Sequence, residues 1–224
     1  MTEIDIRDEV QAKFLALYGY EPAGQWSAPG RVNLIGEHTD YNLGFVLPFA
    51  INRRTFVTLG LREDRVIRVA SSFADEVVEI PLDELVPEAL HGWSAYPLGV
   101  AWALSEHGAE LSTVPGVDIF IDSDVPVGAG LSSSAAIESA VAIALNDVWR
   151  LTLSRPVLAQ VGQRADRLGV GHLGVRPVVL VEVDGLHAKR LQAGLAGTLE
   201  VLGPPVHVPG AARTEVPALR GDED

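Results

Sequence analysis

Between Val125 and Leu145 the chain reads VPVGAGLSSSAAIESAVAIAL: two glycines, three serines, then an apolar run. Gly128 and Gly130 permit positive φ angles and a close backbone approach. The helix expected to begin near Ser134 presents free N–H groups and the positive end of its dipole to whatever lies in front of it. An anion is what such a terminus holds. Ile137, Val141, Ala144, Leu145 and Val148 recur at helical spacing and anchor this helix against a sheet. The same letters also suit a plain serine N-cap, which needs no ligand. A Walker A clamp is excluded, because no Lys-Ser or Lys-Thr pair follows the glycines and the only lysines are Lys13 and Lys189.

A second unusual stretch, APGRVNLIGEHTDYNLGFVLP, runs from Ala28 to Pro48. Arg31, Glu37, His38 and Asp40 fall within ten residues of one another, beside Val32, Leu34 and Ile35, which read as buried. Burial would oblige the polar groups to pair, so they are expected to converge at the lip of a core. An ionised carboxylate only accepts hydrogen bonds, histidine does either, and arginine donates up to five. A polyhydroxylated ligand needs both kinds of partner. Taken singly, each of these residues also fits a polar surface turn punctuated by Gly36 and Gly44.

The remaining elements follow from periodicity. Ile6, Val10, Phe14 and Leu17 mark a helix over Asp5–Tyr18, with Gly19 at a left-handed stop. Strands are expected at Arg31–Ile35, Thr55–Leu61, Val66–Ala70, Val77–Ile80 and Val117–Ile121. Trp93–Glu106 reads as a helix with Pro97 near its first turn and Gly108 past its end. Together these predict an α+β fold, a mixed β-sheet with helices packed on one side.

At 224 residues and 47% hydrophobic, the chain can build one sizeable core or two small ones. A net charge of -13 argues against a nucleic-acid or membrane-surface partner. Cysteine is absent, which rules out disulfides and thiolate metal sites. The acidic start MTEIDIRDEV has no apolar run, so no signal peptide is expected, and no stretch suffices for a transmembrane span. A cytoplasmic protein is the expectation.

The Ala28–Pro48 stretch resembles the sugar signature of galactokinases, and Pro126–Ala136 resembles the phosphate loop of the wider GHMP small-molecule kinase family. WSAYPLGVAWAL, from Trp93, is similar to the galactokinase segment that lines the adenine pocket, although Trp93 and Tyr96 also suit ordinary core packing. The resemblance runs from about Phe14 to about Asp166 and implies an N-terminal domain over residues 1–166. It implies ATP and Mg2+ as cofactors and galactose as the small-molecule substrate. Arg31 matches the arginine facing the transferring phosphoryl group, and Glu37, His38, Thr39 and Asp40 match the sugar-contacting segment. Gly128, Ala129, Gly130, Leu131, Ser132, Ser133 and Ser134 match the loop that cradles the ATP phosphates. Ser134, with Ser133 as the alternative, matches a magnesium ligand, and Asp166 falls where the family has a second, glutamate, ligand. A catalytically silent binding protein and another kinase of the superfamily are the competing readings; EHTDYN favours a sugar over mevalonate or homoserine.

Past Asp166 the resemblance stops. The family's Gly-x-x-Asp-Gln segment, which carries the proposed base, is missing, and Val178 stands where that aspartate should be. Asp184, followed by Gly185, reads as a turn. From Ala165 to Asp224 there is no Ser, Asn, Ile, Met, Phe, Tyr or Trp. The composition predicts that 167–224 is a non-family tail, produced by an altered reading frame or, alternatively, a divergent genuine segment. His172, His187 and His207 match no metal-ligand spacing.

Overall fold

The computed structural model describes residues 3–35, 47–126 and 129–169. Glu37, His38, Thr39, Asp40, Gly128 and the tail from residue 170 lie outside the described residues. Five strands form one mixed sheet in the order β1-β2-β5-β3-β4: β1 Gly24–Ile35, β2 Leu47–Leu61, β3 Val66–Ser71, β4 Ala74–Pro81 and β5 Val117–Ser123. Among the described residues only β3 and β5 run parallel, and every other pairing is antiparallel. The helices are α1 Glu3–Tyr18, α2 Ala95–Ser105, α3 Ser133–Val148 and α4 Arg155–Gly169.

Alternation along the strands divides the interior in two. Val57, Leu59, Ile67, Val69, Ile119 and Ile121 face the main core, which α2, α3 and α4 close. Phe56, Ala70 and Phe120, one residue out of step, meet Val10 and Phe14 of α1 on the reverse face. The mixed sheet with a helical layer on one side is therefore as expected, with α1 added behind it. On α1 the buried face runs through Ile6, Val10, Phe14 and Tyr18, not Leu17, which is exposed. Four-residue steps keep Tyr18 on the stripe and turn Leu17 aside. Gly19 takes φ +81° and stops the helix as its position predicts.

Two further corrections concern the edges of elements. Leu34 and Ile35 are 64% and 69% exposed, against the expectation that they are buried. Residues 31–35 of β1 pair with 47–50 of β2, but β5 pairs with β2 only from Thr55 to Leu61. Among the described residues no third strand lies beside the end of the β1–β2 ribbon. Trp93 sits in a 3-10 turn, Gly92–Ser94, ahead of α2, whose start at Ala95 puts Pro97 inside the first turn. Helix α4 adds to the elements expected from the sequence.

Candidate active site

The two signature stretches, about a hundred residues apart, meet at one backbone hydrogen bond. The Arg31 N–H donates to the Leu131 carbonyl at 3.0 Å. Gly30 permits this approach: a Cβ there would lie 2.9 Å from the Leu131 oxygen and 3.0 Å from Val125 Cγ1. The β1–β2 register also skips between Pro29 and Arg31, so the strand kinks where it meets the loop.

The loop itself is not a plain serine cap. Gly130 takes φ +72°, and Ser132, the N-cap of α3, is left-handed at φ 57° and ψ 47° with no side-chain capping bond. A serine that caps normally holds extended angles and accepts from the first turn. Here the left-handed serine carries roughly 1–2 kcal/mol of strain and gives that first turn no side-chain acceptor. Ala129 and Gly130 are exposed in front of it. This geometry suits an external anion.

Behind the loop, side chains from three elements converge. Ser134 donates its hydroxyl hydrogen bond to Asp166 of α4, and Arg31 of β1 lies within electrostatic reach of the same carboxylate. Burial pushes the Asp166 carboxyl above its usual range, against the opposing pull of Ser134, Arg31 and Glu138. Glu138, one turn beyond Ser134 on α3, is 1% exposed and hydrogen-bonds Asp166. Burial, then the neighbouring Asp166 charge, holds its carboxyl well above the ordinary value, so Glu138 is the protonated donor of the pair. The sequence reading missed Glu138. Its signal was an acidic residue inside the apolar run AAIESAVAIAL, four residues after Ser134.

Tyr96 is half-buried on α2, and its hydroxyl is pushed up first by burial and then by the charges of Asp166 and Glu138. It thus borders the same cluster. Trp93 packs against the main core, with its Nε1–H buried and without an acceptor among the described residues.

Among the described residues no three His, Asp or Glu side chains form a cage for a metal. Magnesium does not require one. It keeps several waters and is bound through one or two carboxylates plus substrate phosphates. The hard oxygens of Ser134 and Asp166 fit that habit, and so does the buried, unpartnered Oε1 of Glu138 beside them.

A cavity of about 420 Å³ lies elsewhere, lined by Tyr18, Tyr20, Arg62, Asp64, Arg68 and Asp118 among others. Its charges answer one another: Asp118 accepts from Arg68, Arg62 and Tyr20, and Arg62 also bonds Asp64. This network pins the end of α1 to the sheet and leaves no surplus positive charge for an anion.

Residues 12–61 match the galactokinase galactose-binding signature, and residues 95–176 match the GHMP kinases N terminal domain. The chain belongs to the GHMP kinase family. A galactokinase of Streptomyces coelicolor is 49% identical over 163 residues, covering 72% of this chain and 41% of the relative. The crystal structure of Lactococcus lactis galactokinase complexed with galactose superposes with a TM-score of 0.67 at 34% identity, over 78% of this chain and 44% of that one. A mevalonate kinase, at 22% identity and a TM-score of 0.57 over 65% of this chain and 47% of that one, shares the fold. The chain spans less than half the length of these galactokinases and corresponds to their N-terminal part. Among the described residues no helix is long and apolar enough to cross a membrane.

Proposed function

We propose that this chain carries the N-terminal half of a galactokinase, which transfers the γ-phosphoryl group of ATP to galactose to give galactose 1-phosphate. The observation that carries the reading is the stitched pair of motifs, Arg31 N–H to Leu131 carbonyl, which ties an arginine to the mouth of an uncapped helix N-terminus. Phosphoryl transfer asks a protein mainly for positioning and for neutralising developing charge. In this reading the loop from Gly128 to Ser134 orients the phosphates through backbone N–H groups, and Arg31 faces the transferring group. Glu37, His38, Thr39 and Asp40 contact the sugar hydroxyls, and Trp93 and Tyr96 border the nucleotide. Mg2+, held by Ser134 and Asp166, would supply positive charge to the phosphate oxygens. Such an enzyme works among dissolved metabolites, consistent with a cytoplasmic place.

In the same reading residues 1–166 are the kinase segment and 167–224 a tail foreign to it, with the match to the GHMP kinases N terminal domain running ten residues past that boundary, to residue 176. Nothing after Asp166 offers the family's base, so the chain as it stands binds ATP without turnover. Translating the other reading frames past Asp166 tests the tail; absence of any Gly-x-x-Asp-Gln continuation refutes a frameshift. The activity is tested by a coupled assay on a version continued in frame through the family's C-terminal portion. Galactose-dependent ADP release supports the proposal. Turnover of mevalonate or homoserine in place of galactose contradicts it.

A further inference from the structure

We propose that Glu138 is a positioning residue of this site, holding Asp166 against the Ser134 hydroxyl at the mouth of the phosphate loop. The inference rests on the phosphate-loop reading above and extends it to a residue outside both motif assignments. An acidic side chain 1% exposed in the middle of an apolar helix face is costly unless something specific requires it. Ser134 and Glu138 stand one turn apart on α3, and Gly162 and Asp166 one turn apart on α4. A Cβ on Gly162 would lie 3.7 Å from the Glu138 Cβ, an ordinary van der Waals contact, so α4 packs directly against α3 at the level of Glu138. One Glu138 oxygen bonds Asp166, and the other, Oε1, is buried with no partner among the described residues. The Glu138 hydrogen bond holds the Asp166 carboxylate, which in turn accepts from the Ser134 hydroxyl.

The test is equilibrium binding of ATP to the full chain, measured with Mg2+ and again in EDTA. Losing a partner that orients a metal ligand typically costs about 10–100-fold in metal affinity. Glu138→Leu, which fills the volume without a hydrogen bond, is expected to lose at least about tenfold of the Mg2+-dependent gain in ATP affinity while its metal-free affinity stays at the wild-type value. Glu138→Gln, which keeps length and a donor to Asp166, is expected to restore most of that gain. In an Asp166→Ala background Glu138→Leu should cost nothing further. Should Glu138→Leu not fold, Glu138→Ser, which leaves room for water, takes its place under the same expectations. An unchanged Mg2+ response in Glu138→Leu, equal losses in Glu138→Leu and Glu138→Gln, or a full loss persisting in the Asp166→Ala background each overturns the proposal. A wild-type chain that binds no ATP overturns the phosphate-loop reading along with it, whereas wild-type binding with an indifferent Glu138→Leu overturns this proposal alone.

Discussion

Replacing Gly30 with alanine tests the joint between strand and loop. The added methyl would stand 2.9 Å from the Leu131 carbonyl oxygen, 3.0 Å from Val125 Cγ1 and 3.1 Å from Ile51 Cδ1. Ile51 can turn aside, but a backbone carbonyl cannot. Either β1 moves away, stretching the 3.0 Å bond from the Arg31 N–H to Leu131, or the loop moves with it. Overpacking costs about 1–3 kcal/mol and a lost hydrogen bond about 0.5–1.5 kcal/mol. Gly30→Ala should therefore lower unfolding stability by about 2–4 kcal/mol, read as a lower urea midpoint with an unchanged slope. ATP affinity should fall with it, because the loop loses its tie to Arg31. A variant within about 0.5 kcal/mol of wild type, the scatter of ordinary surface changes, would refute the claim that this contact fixes the loop.

Asp118→Ala should destabilise the fold toward the lower end of the roughly 3–5 kcal/mol typical of a broken buried pair, since Arg62 keeps Asp64 and both guanidiniums reach solvent. Burial alone would push the Asp118 carboxyl up, but bonds from Arg68, Tyr20 and Arg62 outweigh it and hold it below its ordinary value. The folded value is thus depressed, so its stabilisation is complete above the unfolded carboxylate value of about 3.9 and is lost as pH falls through the folded one. Urea midpoints followed from neutral pH downward should show an acid limb that Asp118→Ala lacks; parallel curves would contradict this. In a version continued in frame, Arg31→Ala should lower kcat far more than it weakens ATP binding, because an arginine at the transferring group acts in the transition state. A change confined to KM counts against that role. The chain as it stands should give no galactose turnover in a coupled assay, since a positioned base alone contributes about 10²–10⁴-fold; an ordinary kinase rate would overturn the account of the tail.

The sheet was legible in the sequence wherever residues alternate against a core. The runs Val66–Ala70 and Val117–Ile121 appear as strands because both sides of each are covered, by α1 on one face and the helical layer on the other. The end of β1 was not. Val32, Leu34 and Ile35 look like core, yet whether a third strand covers them depends on where β5 stops, which no local pattern reveals. The phosphate loop was legible from glycines and serines, but its left-handed Ser132 was not, since serine seldom takes that conformation. Arg31, Ser134 and Asp166 were found through motif order alone. Their convergence depends on how β1, α3 and α4 pack together, which no local pattern reveals, and Glu138 carried only the signal of an acidic residue inside an apolar run.

In the proposed function an uncapped helix N-terminus behind Gly130 holds the phosphates of ATP. Phosphorus NMR of ATP titrated with the purified chain tests it directly, because each phosphate reports separately. The β and γ resonances should broaden and shift on adding the wild-type chain. Gly130→Val, strained at φ +72° though nothing lies within 4 Å of its Cβ, should abolish the effect while the fold persists. Unperturbed phosphate signals with a folded wild-type chain, or an equal perturbation with Gly130→Val, would contradict it.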